Sequence, residues 1–117
     1  MAFRFEDLQV WQKALDLGEL INQLTKGFPK DELFILTSQI KRAADSVVLN
    51  IAEGSTGQTK AVFKQFLRYA LGSGIEVVSC LFIAKKRGYI KEDKFKDLYN
   101  EYEVLVKMIT NLRNSLD

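Results

Sequence analysis

The chain contains no histidine, one cysteine and one proline among its 117 residues. Without histidine the commonest general base and metal ligand is gone, and Cys80 alone makes neither an internal disulfide nor a thiolate cluster. An excess of one charge is also lacking: seventeen Lys and Arg against fifteen Asp and Glu leave +2, weaker than a dedicated nucleic-acid binder shows. No unbroken apolar run approaches the roughly 20 residues of a membrane span. The opening MAFRFEDLQVWQKA carries charges where a signal peptide needs an apolar stretch. The expectation is a soluble, cytoplasmic protein without a membrane, with Cys80 a small buried hydrophobe in a reducing compartment.

What is present builds helices. At 47% apolar and 27% charged the chain can bury a core, and a length of 117 residues suits one domain that needs neither disulfide nor metal for stability. Pro29 and scattered glycines divide it into four periodic stretches at about 7–26, 31–53, 59–87 and 91–116. Val10, Ala14, Leu17, Ile21 and Leu24 recur at helical spacing before Gly27. Asp31 is placed to cap the second stretch, whose stripe is Leu33, Leu36, Ile40, Ala43, Ala44, Val47 and Ile51. Thr59 can cap the third, carried by Phe63, Phe66, Leu67, Ala70, Gly74, Val77, Leu81 and Ala84. Phe95, Leu98, Tyr102, Leu105, Ile109, Leu112 and Leu116 mark the fourth. Short turns between helices of 30 to 40 Å, at 1.5 Å per residue, predict an all-α, antiparallel up-down-up-down four-helix bundle over residues 1–117.

The four helices are not equivalent. The first and fourth read as one-sided, with Gln12, Asp16, Glu19 and Gln23, and Asp97, Asn100, Glu103, Lys107 and Asn114, on their outer faces. The second keeps Ile35 and Leu49 opposite its core stripe, beside Gln39, Arg42 and Ser46. The third carries Tyr69, Ser73, Glu76 and Ile83 away from its own stripe, with Leu71, Ile75 and Phe82 on the other flank. One bundle buries one face of each helix, so the central hairpin has apolar surface left over. Ile35, Gln39, Arg42, Ser46, Leu49, Tyr69, Ser73, Glu76 and Ile83 are the expected interface of a homo-oligomer; the competing reading is a wider stripe buried inside one bundle.

The stretch Gln39-Ile-Lys-Arg-Ala-Ala-Asp-Ser-Val-Val-Leu-Asn-Ile-Ala-Glu-Gly54 and the segment Gly72-Ser-Gly-Ile-Glu76 set this chain apart from a generic bundle. With Leu8-x-Val10-Trp11-x-x-Ala14 and Phe28-Pro29-x-x-Glu32, over about residues 3–112, the sequence resembles the four-helix-bundle proteins encoded in intervening sequences of bacterial 23S rRNA genes, which carry a ribosomal-protein-like label. That fold looks like the accessory variability determinant of diversity-generating retroelements, a basic pentameric barrel that binds a reverse transcriptase and nucleic acid. The resemblance implies a ring of five subunits with a binding role and no assigned catalysis, and it matches no residue of this chain to a demonstrated functional residue. On physical grounds Arg42, about five residues or 7 Å from the level of Glu76, is expected to pair with it, within a subunit or across an interface, with Gln39, Ser46 and Ser73 satisfying the remaining groups. Gly72 and Gly74 in mid-helix suggest close backbone approach to Ala43 and Ala44, or a kink.

Enzymatic readings fare poorly. Gly54-Ser-Thr-Gly-Gln-Thr-Lys60 lacks the second glycine, the Ser/Thr after lysine and the preceding strand of a phosphate loop. A di-metal site in a bundle needs inward Glu-x-x-His pairs, leaving only a remote all-oxygen variant with Glu53 and Glu76. Ser46, Ser73 and Thr59 have no imidazole to activate them, and Tyr69 and Tyr99 fit better as packed phenols. No cofactor and no catalysis are expected. Charge distribution matters more than its sum: the 27–30 and 88–91 turns share one end of the bundle, gathering Lys26, Lys30, Lys85, Lys86, Arg87, Lys91 and Lys94 against Asp31, Glu32, Glu92 and Asp93. Such an end can attract RNA or DNA nonspecifically, or it is a solvated rim. A second stripe, Lys60, Lys64 and Arg68, opens the third helix. The expected function is a noncatalytic oligomeric binding or scaffold protein associated with RNA; the alternative is an adaptor presenting the ring to a partner enzyme such as a reverse transcriptase.

Overall fold

The computed structural model describes residues 2–57 and 59–117; Met1 and Gln58, the latter within the Gly54–Lys60 stretch, lie outside them. Four helices, α1 (Gln9–Thr25), α2 (Ser38–Gly54), α3 (Lys60–Lys86) and α4 (Glu92–Asn114), form a bundle of 43 × 23 × 22 Å. Cross-helix contacts fix the directions. Gln39 meets Glu76 and Ser46 meets Ser73 between α2 and α3, Phe82 meets Phe95 and Tyr99 between α3 and α4, and Lys13 meets Glu101 between α1 and α4. Lys85 on Glu92 with Gly74 against Val106 runs α3 antiparallel to α4, and Gly18 against Val48 with Thr25 beside Thr37 runs α1 antiparallel to α2, giving the up-down-up-down order.

The expected stripes form the core. Ile21, Ile40, Ile51, Leu67, Leu81, Leu98 and Leu105 are among its fully buried side chains. Cys80 is buried, and burial, with the Glu76 charge second, holds its thiol above the usual range. Thr59 caps α3, accepting a hydrogen bond from the Val62 amide at 3.2 Å. Gly88, at φ +79°, ends α3 in a left-handed turn with Tyr89 N–H bonded back to Ala84 at 2.9 Å and Gly88 N–H to Lys85 at 3.0 Å, the pattern for which glycine is suited.

Several expectations need correction. Asp31 does not cap α2: a 3-10 turn (Lys30–Glu32) and a π turn (Leu33–Thr37) lead into it without a side-chain cap. The π turn adds residues to the winding and rotates the phase, so Leu33, Phe34 and Ile35 point outward while Leu36 and Thr37 are buried. Gly72 has open space around it and an added Cβ at Gly74 would meet Val106 on α4 at 3.4 Å, so neither packs on Ala43 or Ala44. Gly54 is the close approach, where a Cβ would lie 2.6 Å from that of Phe66. Leu15 and Leu20 on α1 and Val104 on α4 are exposed, so those outer faces are less polar than their charges suggest. Finally α3 contains an 18-residue window of mean hydropathy 1.5, which makes it long and apolar enough to cross a membrane by length and composition. Counting unbroken runs hid this: residues 66–84 contain only Arg68 and Glu76 as charges. Its stripe from Phe63 to Ala84 lies in the bundle core.

Candidate nucleic-acid and subunit interface

The turns at 26–37 and 87–91 come together at one end. The rings of Phe28 and Tyr89 lie 5.6 Å apart, and Glu32, only 7% exposed, accepts hydrogen bonds from the Tyr89 hydroxyl at 2.6 Å and from Arg87 Nη1 at 2.9 Å. The glycine turn at 88 directs Tyr89 back toward this carboxylate. The Tyr89 hydrogen bond, followed by the Arg87 charge and the Leu36 amide, holds the Glu32 carboxyl below its ordinary range; the same bond pushes the Tyr89 phenol up. Sequence reasoning named Glu32 and Arg87 without joining them, and it passed over Tyr89. A carboxylate just after the Phe28-Pro29 break, with Arg87-Gly88-Tyr89 at the same end, was the available signal.

This clamp alters the basic end. Arg87 faces Glu32, and Lys85 pairs with Glu92 at 2.8 Å while its ammonium lies 4.5 Å from the Phe95 ring centroid. Lys26, Lys30, Lys86, Lys91 and Lys94 are exposed and form no ion pair among the described residues. Five lysines against Asp31 and Asp93 therefore keep the positive excess expected of seven cations against four carboxylates. In the second stripe Lys64 pairs with Asp117 while Arg68 bonds only the neutral Gln65 amide, which leaves Lys60 and Arg68 without an ion pair among the described residues.

The α2–α3 face presents the expected interface residues. Ile35 is 62%, Leu49 64%, Tyr69 46% and Ile83 38% exposed in the chain. Gln39, Arg42, Ser46, Ser73 and Glu76 line an open cleft of about 650 Å³ with Phe34 and Ile35. Gln39 Nε2 donates to Glu76 at 3.3 Å, Ser73 Oγ lies 2.9 Å from Ser46 Oγ, and Asn50 Nδ2 donates to Ser46 Oγ at 2.9 Å. The expected pairing of Arg42 with Glu76 within the chain does not form. Both side chains are exposed to solvent in an open cleft, where an ion pair gains little over hydration. Among the described residues no three His, Cys, Asp or Glu come together as a metal site.

A sequence model of the 23S rRNA-intervening sequence proteins matches residues 6–111. The chain belongs to that family. No curated protein matches it. A solved protein of unknown function from the S23 ribosomal protein family of Bacteroides thetaiotaomicron VPI-5482 shares 24% identity, with TM-score 0.83 over 90% of this chain and 95% of that one. This likeness gives the family member its fold and leaves its activity open.

Proposed function

We propose that this family member is a noncatalytic binding or scaffold protein, which self-associates through the outer face of α2 and α3 and offers its lysine-rich end to RNA. One observation carries the reading. Among the exposed large apolar side chains of the described residues, Ile35, Leu49, Tyr69 and Ile83 gather on the outer face of α2 and α3. A concentration of this kind marks an interaction site in a water-soluble chain. The number five for the assembly comes from resemblance alone. Repeated around a ring, the exposed lysines at 26, 30, 86, 91 and 94 make a band of positive charge without aromatic stacking positions interleaved, which suits phosphate contact and not base readout.

Two measurements test this. Sedimentation at micromolar concentration should give a mass above one chain; a monomer refutes self-association. Filter binding to structured RNA should be measurable at about 50 mM salt and weaken steeply by about 200 mM, as counterion release requires. Absence of binding at the lower salt removes the RNA reading. A protein that copurifies under salt that strips nucleic acid would favour the adaptor alternative.

A further inference from the structure

The π turn leaves Phe34 89% exposed, flanked by Leu33 at 51% and Ile35 at 62%. A second apolar feature lies elsewhere on the chain, a groove of about 400 Å³ between α1 and α2 walled by Leu15, Val48 and Leu49, floored by Gly18 and rimmed by Glu19, Lys41 and Asp45. Gly18 has no explanation inside the chain. It sits in mid-helix, its φ is not positive, and an added Cβ would meet only Val48 Cγ2, at the ordinary distance of 4.0 Å. Alanine would hold that helix better, and what its absence provides is depth in the groove. We infer that Phe34 of one copy of this chain docks in the Gly18 groove of another copy.

The pieces match in size and chemistry. An apolar cavity of about 150 Å³ already takes benzene, so the groove accommodates a benzyl group and part of its flanking Leu33 or Ile35. Phe34 cannot fill its own groove, because it precedes Asp45 on the same helical segment by eleven residues, about 16 Å. Charge agrees as well. Arg42 and Glu76 line the cleft beside Phe34, with Arg42 forming no ion pair among the described residues, and the groove rim offers both signs in turn, Glu19 and Asp45 for Arg42 and Lys41 for Glu76. The inference rests on the self-association proposed above and extends its surface from Ile35 and Leu49 around α2 to the α1 side.

The test compares the masses of full-length variants by sedimentation at about 10 μM, with circular dichroism showing that each is folded. Phe34→Asp removes the knob and Leu49→Asp spoils the groove, both at exposed positions. Each variant alone should dissociate, with at least a hundredfold rise in Kd. Mixed in equal amounts they should recover a complex containing one of each, since one supplies the groove and the other the knob. Gly18→Ala should raise the thermal midpoint of the fold while weakening association about tenfold. Wild-type assembly retained by Phe34→Asp, or a mixture that stays monomeric, overturns this contact and leaves self-association standing. A monomeric wild type overturns both.

Discussion

Two polar clusters on this bundle use the same kinds of residue to opposite ends. At the turn end Glu32 is enclosed, and the chain brings Arg87 and Tyr89 onto it at 2.9 and 2.6 Å respectively. Along α2 and α3 the Gln39, Arg42 and Glu76 cleft stays open, and Arg42 pairs with no carboxylate among the described residues. Burial decides the difference. An enclosed carboxylate deprived of water must be satisfied by the protein, whereas an exposed one is already satisfied by solvent and can leave its neighbour's charge available to something outside. The first cluster therefore acts on the fold, by tying two turns together, and the second is available for recognition.

The largest expected effect breaks the enclosed cluster. Glu32→Ala unties the two turns and deprives the Tyr89 hydroxyl of its acceptor, and it should lower Tm by on the order of 5 °C, measured by thermal unfolding; an unchanged Tm would show that the clamp is decorative. Its pH dependence has a definite sign. Glu32 is held below its usual 4.5, so its share of stability is present above pH 4.5 and disappears as pH falls through the lowered value. Tyr89 is raised above its usual 10.0, so the share from its proton is present below pH 10 and disappears as pH climbs through the raised value. Glu32→Gln should flatten both limbs of the stability profile, and Tyr89→Phe should remove the alkaline limb and shrink the acid limb, since its hydroxyl is the first cause of the lowered Glu32 value. Profiles that overlay the wild type would place the titration elsewhere.

A third case sharpens the contrast. The Tyr102 hydroxyl is buried like Glu32 but has no hydrogen-bond partner among the described residues, and burial, with the Asp45 charge second, pushes its phenol up. An unsatisfied buried hydroxyl carries a desolvation cost of about 1–3 kcal/mol. Tyr102→Phe should therefore stabilise the bundle, by about 1 kcal/mol in chemical denaturation. A loss of stability would mean that the hydroxyl is bonded.

Much of the fold was legible because helical periodicity reports one face directly: Ile40, Val47, Ile51, Leu67 and Leu81 were identified as core by spacing alone. Leu33 was not, because spacing assumes one phase throughout, and the π turn shifts that phase ahead of Ser38. The Glu32 clamp was hidden for a different reason. It joins residues more than fifty positions apart through a left-handed turn at Gly88, and neither half shows anything unusual by itself. The basic end was legible as a group of residues. Which cations would turn inward, Lys85 and Arg87, depended on side-chain contacts that charge counting cannot express. Helical spacing predicts leftover apolar surface on the central hairpin, and the exposed Ile35, Leu49, Tyr69 and Ile83 are that surface.

The smallest effect belongs to the open cleft. Arg42→Ala should change the free energy of unfolding by no more than about 0.5 kcal/mol, the scale of exposed positions away from special features. Glu76→Ala should do the same, since its single bond from the Gln39 amide is long at 3.3 Å and competes with water. A double-mutant cycle on the pair should give a coupling close to zero, because the guanidinium and carboxylate are not in contact within the chain. Denaturation must be followed at low concentration, where each copy stands alone. A cost of about 3 kcal/mol there would equate the cleft with the enclosed cluster and dissolve the distinction between them. The same cost emerging only as concentration rises would mean that assembly encloses Arg42 against a carboxylate of another copy, turning a recognition residue into a buried one.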